Sequence, residues 1–175
     1  MLTLLRQRRS IRKFTEKKIE AEKVDQLCEA ILRAPTSRNF QPCEFVFVDE
    51  PGLLQKLATA KAHGTAFLQS ATLAIVIAAD PQKSDVWVED CSIAAFTVQL
   101  AAEELGLKSC WAQLRLRPHK GEASASEYVR KLVDLPDGFE APMVIGIGYP
   151  DEEKAGHSRE SLPDVKIHRN SYRAN

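Results

Sequence analysis

The sequence has little with which to cross-link itself, span a membrane or hold a metal. Its 175 residues contain four cysteines, Cys28, Cys43, Cys91 and Cys110, and no C-x-x-C pair. That count excludes a disulfide scaffold and disfavours a structural zinc site, and reduced thiols in a cytoplasmic protein are the simplest reading. The longest purely apolar run covers residues 73–79, far short of the roughly 20 residues of a membrane helix. Residues 1–10 place their arginines after their leucines, the reverse of a secretory signal, so neither membrane insertion nor export is expected. G-x-S-x-G, H-E-x-x-H and EF-hand patterns are absent, as are a Walker loop and G-x-G-x-x-G. A Rossmann-bound nicotinamide is therefore unsupported. Four scattered histidines, His63, His119, His157 and His168, offer little acid–base machinery. Either the protein is not an enzyme or its reactive chemistry belongs to a cofactor.

A surplus of either charge is also missing, with 24 Lys+Arg against 24 Asp+Glu. The balance conceals an asymmetry. Residues 1–20 hold seven basic side chains, Arg6, Arg8, Arg9, Arg12, Lys13, Lys17 and Lys18, against Glu16 and Glu20, so the remainder is acidic. A basic N-terminus on an acidic body suits a small anionic ligand such as a phosphate, whereas a protein dedicated to nucleic acid is more often basic overall.

The length suits one domain over residues 1–175, burying roughly 70% of its unfolded surface. Spacing predicts helices over residues 2–9, 20–34, 51–61, 86–105 and 124–133, and strands over 44–48, 73–79, 109–112 and 143–148. The continuous apolar run at 73–79 reads as a central strand covered on both faces. Val88, Cys91, Ala94, Ala95, Val98, Ala101, Ala102 and Leu105 give residues 86–105 an apolar face too wide for a surface helix. It reads as a buried spine or part of a dimer interface. Cys91 and Cys110 read as small buried hydrophobes for which no redox role is expected, and Glu89 and Asp90 as acids favoured by the helix dipole. Residues 151–175 are polar and weakly periodic, yet hold Leu162, Val165, Ile167 and Tyr172, the composition of an arm draped on something else.

Three polar clusters stand out. Arg8, Arg9, Ser10, Arg12 and Lys13 combine guanidinium forks with a hydroxyl, a set suited to phosphate, although composition alone reads them first as a solvated basic patch. Pro35, Thr36, Ser37, Asn39 and Gln41 lie between prolines and could read a heteroaromatic edge or merely connect a helix to a strand. Trp111 follows the long helix and, taken alone, is a core residue as readily as a cofactor wall.

In order, R-R-S-I-R-K-F, A-P-T-S-R-N-F-Q-P, D-C-S-I-A-A-F-T-V-Q-L-A-A-E-E-L-G-L-K-S-C-W and V-I-G-I-G-Y-P resemble the FMN-dependent nitroreductase family over nearly the whole chain. The resemblance implies an α+β fold with a mostly antiparallel or mixed sheet flanked by helices. It also implies a homodimer with an exchanged C-terminal arm and FMN in two interface sites. Under it, Arg8, Arg9 and Ser10 hold the phosphate and ribityl chain. Arg12 places a cation near the pyrimidine end, where reduction leaves negative charge at N1 and O2. Pro35, Thr36, Ser37 and Asn39 match the segment reaching the flavin from the other subunit, and Gln41 the residue that shapes it. Trp111, Ala112 and Gln113 pass the reactive edge, where a backbone N–H can bond N5. Lys154 matches the second phosphate cation, with Arg159 a rival.

The activity implied is ping-pong transfer of hydride from NAD(P)H to nitroaromatic, quinone or similar acceptors, with no side chain required as nucleophile or base and no metal. Gln113 stands where many short members carry Gly, and Cys43 where they often carry Trp. These departures leave room for a specialised substrate. A non-catalytic FMN-binding or redox-sensing module is the alternative.

Overall fold

Two strands decide the architecture. In a computed structural model that describes residues 1–121 and 123–172, β2 (Leu73–Ala79) is buried at every position and β4 (Glu140–Gly148) at every position but the first. Such strands need cover on both faces. They form the centre of a four-stranded sheet of order β1-β2-β4-β3, with β1 (Cys43–Val48) and β3 (Lys108–Gln113) at its edges. Every neighbouring pair is antiparallel, which settles the expectation of a mostly antiparallel or mixed sheet.

Side-chain alternation divides the core in two. Ile75, Ile77, Met143, Ile145 and Ile147 face α2 (Ala21–Leu32) and α4 (Trp87–Glu104). Ala74, Val76, Cys110, Ala112 and Val144 face α3 (Pro51–Ala58), a 3-10 turn at Ala66–Gln69 and α5 (Ala125–Leu132). Each fully buried Leu or Ile contributes about 1.5–3 kcal/mol. Gly146 marks a close crossing of β4 with the 3-10 turn, since a Cβ there would lie 2.7 Å from Phe67 and 2.9 Å from Leu68.

Helix ends follow local chemistry. The Glu50 carboxylate accepts the N–H groups of Gly52 (2.8 Å) and Leu53 (2.6 Å), with Pro51 opening α3. Ser124 caps α5 by accepting the Glu127 N–H at 3.0 Å. Gly106, at φ +73°, ends α4, and the N–H groups of Leu107 and Gly106 return to the carbonyls of Ala102 and Glu103. Two bounds differ from the sequence reading by three residues. α3 stops at Ala58, because Thr59 and Ala60 bond the carbonyls of Lys56 and Leu57 in tighter turns. β4 begins at Glu140, before the residue 143 expected, pairing with Ala79 across a register shift. Pro142 falls within that irregular stretch, and its missing N–H hides the strand from pattern reading.

The N-terminal segment is threaded through the end of the sheet. After α1 (Leu2–Gln7), the Ile11 N–H bonds the Ser109 carbonyl (3.1 Å), the Thr15 N–H that of Tyr149 (2.9 Å), and the Asp151 N–H that of Lys13 (2.8 Å). Buried Ile11 and Phe14 pin it. Residues 155–172 are all exposed, with short 3-10 turns at Arg159–Ser161 and Asp164–Lys166. The last three positions of the expected arm lie outside the described residues. Among the described residues no helix is long and apolar enough to cross a membrane, and no cluster of His, Cys, Asp and Glu could hold a metal ion.

Beside the threaded segment, the Tyr149 hydroxyl donates to Glu20 Oε2 (2.5 Å) and accepts from Lys23 Nζ (2.8 Å). The ammonium of Lys17 stands 3.9 Å from the Tyr149 ring centroid. The hydroxyl, then a backbone N–H and Lys17, hold the Glu20 carboxyl down at about 2. A depressed carboxyl stabilises the fold above its unfolded value near 4.5, and that contribution is lost as pH falls from there towards 2. Tyr149→Phe is therefore expected to lower the urea midpoint near neutral pH, with the gap to wild type narrowing below about pH 4. A gap that stays constant on acidification would contradict the linkage.

Candidate functional site

The threading of residues 10–15 gathers the N-terminal cations against the start of β3. Ser10 bridges Ser109 in parallel fashion. Arg8 closes α1, and Arg8, Arg9 and Ser10 are half-buried. The Arg9 guanidinium donates to the Ala155 carbonyl. Lys154 Nζ lies 3.4 Å from the Ser10 carbonyl oxygen and 2.8 Å from Glu152 Oε1, which also accepts the Arg12 N–H at 2.6 Å. The Cys110 thiol records the convergence. Burial pushes it up, while Arg12, the Ser10 hydroxyl, Lys154 and Arg8 all pull it down. Arg8, Arg9, Ser10, Arg12 and Lys154 thus form one cluster. Arg159 does not join it, because its guanidinium is engaged at 2.8 Å by both Asp164 oxygens.

A cleft of about 810 Å³ opens here, lined by Arg9, Ile11, Glu103, Lys108, Glu152 and Lys154. Its lining includes the pair of Lys108 with buried Glu103, and nearby the buried Gln99 amide donates to the Ser109 hydroxyl at 3.1 Å. Lys154, then the Arg12 N–H, holds the Glu152 carboxyl below its ordinary range. An anion is already welcome at this spot, and guanidinium, ammonium and hydroxyl donors together suit a phosphate ester.

β3 extends the site from the cations along an open edge. The Ser109 carbonyl serves Ile11, whereas the Leu114 N–H turns inward to Pro142. Strand alternation therefore aims the N–H and C=O groups of Trp111 and Gln113 at the edge away from β4. Ala112 is buried in the core, while Trp111 and Gln113 are half-buried, with the indole N–H donating to Gln113 Oε1 at 3.0 Å.

The 35–42 loop sits elsewhere. Thr36 and Ser37 are half-buried, Pro35 and Asn39 exposed. Among the described residues no hydrogen bond or ion pair joins Pro35, Thr36, Ser37 or Asn39 to the cation cluster of the same chain. The loop is held in a costly shape, with Arg38, Asn39 and Gln41 at φ values of 50°, 58° and 46°. Left-handed backbone at non-glycine residues costs on the order of 1 kcal/mol or more each and concentrates at functional sites. The surroundings impose it: the Gln41 N–H bonds the Thr36 hydroxyl (3.1 Å), the Gln41 amide bonds Asn39 (3.3 Å), and Arg38 pairs with Asp85 at 2.5 Å.

The residue that sequence reasoning missed is Asp90. It is 2% exposed, and its carboxylate accepts the Ser37 N–H (2.9 Å) and the Ser84 hydroxyl (3.1 Å). Its helix position favours an acid, but burial shows a larger task, that of anchoring the loop to α4. The available signal was spacing, since Asp90 stands four residues before Ala94 and so falls on the apolar stripe. Glu152 was missed as well, because a lone acid in a polar tail carries no pattern.

Comparison with known proteins decides the family. The family model described as the nitroreductase family matches residues 5–67 and 54–149. The chain belongs to the nitroreductase family. An FMN-dependent nitroreductase from Clostridium difficile is 42% identical, with a TM-score of 0.96 over 98% of this chain and 100% of that one. An Archaeoglobus fulgidus protein named as an NADH dehydrogenase/NAD(P)H nitroreductase is 33% identical over 98% of each chain. FMN reductase [NAD(P)H] of Bacillus subtilis is 25% identical over 94% of this chain and 71% of its own. Within the nitroreductase fold, the cation cluster lies against the start of β3, and the strained loop is anchored at the other end of α4, through Asp90.

Proposed function

We propose that this nitroreductase-family chain is an NAD(P)H-dependent flavin oxidoreductase that binds FMN at the interface of a homodimer. The observation that carries the reading is the convergence of Arg8, Arg9, Ser10, Arg12 and Lys154 beside the open edge of β3. Arg8, Arg9 and Lys154 neutralise the phosphate, Ser10 bonds the ribityl end, and Arg12 supplies a cation towards the pyrimidine. The N–H groups of Trp111 and Gln113 are free to orient the reactive edge. FMN held by these residues would supply the redox chemistry between NAD(P)H and a nitroaromatic, quinone or similar acceptor. No side chain in the cluster is needed as a nucleophile. With one pocket serving donor and acceptor in turn, initial rates at varied NAD(P)H and quinone should give parallel double-reciprocal lines. Intersecting lines would overturn the shared-pocket mechanism.

Dimerisation supplies the remaining segment. Ile93 and Phe96 are 42% and 43% exposed on α4, and with Leu100 they make an apolar stripe at helical spacing on the side away from the chain's own core. In the arm, Val165 and Ile167 are 67% and 76% exposed, with no core of their own. A second copy covers both, and its Pro35, Thr36, Ser37 and Asn39 complete the flavin site. Phe96→Glu is expected to shift light-scattering mass from dimer to monomer and to weaken FMN binding about tenfold or more. A monomeric variant with wild-type FMN affinity would sink the shared site.

A further inference from the structure

Cys43 and Cys91 place their sulfurs 3.6 Å apart, although the two residues lie on different elements. Cys43 opens β1 immediately after the strained loop. It is half-buried and lines a cavity of about 250 Å³ with Thr36, Gln41 and Ala94. Cys91 is fully buried on α4, next to Asp90, the residue that anchors the same loop. Cys110 packs on the opposite face of the sheet, and among the described residues no other two sulfurs approach each other. Closure to a disulfide requires the sulfurs to move from 3.6 Å to about 2.0 Å.

We propose that Cys43 and Cys91 form a dithiol that a peroxide oxidises to a disulfide, fastening the base of the 35–42 loop to α4. The Cys43 sulfur attacks one oxygen of hydrogen peroxide; an S–O bond forms, the O–O bond breaks, and the departing hydroxide leaves as water with the thiol proton. The Cys91 sulfur then attacks the Cys43 sulfur of the sulfenic acid; the S–S bond forms, the S–O bond breaks, and hydroxide leaves as water with the Cys91 proton. Two thiols and one peroxide become a disulfide and two waters. The order of attack follows from access, since Cys43 is half-buried and lines the cavity whereas Cys91 is fully buried. The contact between the two sulfurs holds the Cys43 thiol below its usual range, while that same contact and burial push Cys91 up. The cavity gives peroxide access to Cys43, and the sulfur nearest to Cys91 is that of Cys43.

The test uses the purified full chain, freed of reductant, treated with hydrogen peroxide and then unfolded under acid. Titratable thiols should fall from the four of the sequence to half that number. The intact mass should drop by two hydrogens, peptide mapping should join Cys43 to Cys91, and dithiothreitol should reverse all three. In Cys91→Ser, dimedone should tag Cys43, whereas Cys110→Ser should still form the bond. Survival of every thiol, a link through Cys28 or Cys110, or a bond joining two chains would overturn the proposal. The wild-type peptide map decides the matter even if a variant fails to fold, and it does so independently of whether FMN binds.

Discussion

Alanine at both Arg8 and Lys154 is expected to weaken FMN binding about 10²–10⁴-fold. In the proposed site each side chain would offer the phosphate a charge-assisted hydrogen bond worth about 1.5–3 kcal/mol, and every 1.4 kcal/mol is tenfold in affinity. The two approach the site from opposite ends of the chain, Arg8 at the close of α1 and Lys154 after β4. Neither supports the core, so the urea midpoint of the flavin-free protein should stay close to that of wild type. Added salt should weaken binding to wild type more than to the variant, because fewer charges remain to screen. Affinity within threefold of wild type, read by quenching of flavin fluorescence, would show that the phosphate is held elsewhere. Arg159→Ala serves as the control, since its guanidinium is already paired with Asp164.

The second large effect is expected at Asp90, far from those cations. Asp90→Ala leaves the Ser37 N–H and the Ser84 hydroxyl without their acceptor in a buried place, at a cost of about 2–4 kcal/mol in unfolding free energy. FMN affinity should fall with it, because the left-handed backbone at Arg38, Asn39 and Gln41 persists only while its surroundings enforce it. Asp90→Asn keeps an acceptor oxygen and should restore most of both losses. An alanine variant as stable as wild type would remove the anchoring role, and an asparagine variant as damaged as alanine would shift it to the charge itself.

Period and punctuation carried much of the fold. The apolar run at Leu73–Ala79 is the central strand it resembles, and the wide apolar face before Gly106 is α4. Topology was not legible, because the order β1-β2-β4-β3 depends on pairings between residues far apart in the chain, which leave no local trace. The basic run at residues 8–12 was visible as a candidate anion site. Its neighbours Lys154 and Glu152 become part of it only because Asp151 pairs with Lys13 and brings the tail alongside. Asp90 shows a different limit. A buried carboxylate and a helix-dipole carboxylate look the same in sequence, and only the loop amide 2.9 Å away separates them. The Cys43–Cys91 approach is of the same kind, a contact between elements that no spacing announces.

The central claim is that the cation cluster and the open edge of β3 hold a reducible flavin. Its most direct test is the visible spectrum of the purified protein, supplied with FMN if it emerges colourless, followed by anaerobic addition of NADH or NADPH. The account predicts a yellow protein whose flavin absorbance is retained through gel filtration and bleaches on addition of the nucleotide. A protein that stays colourless after incubation with FMN, or a yellow one that neither nucleotide bleaches, would contradict it.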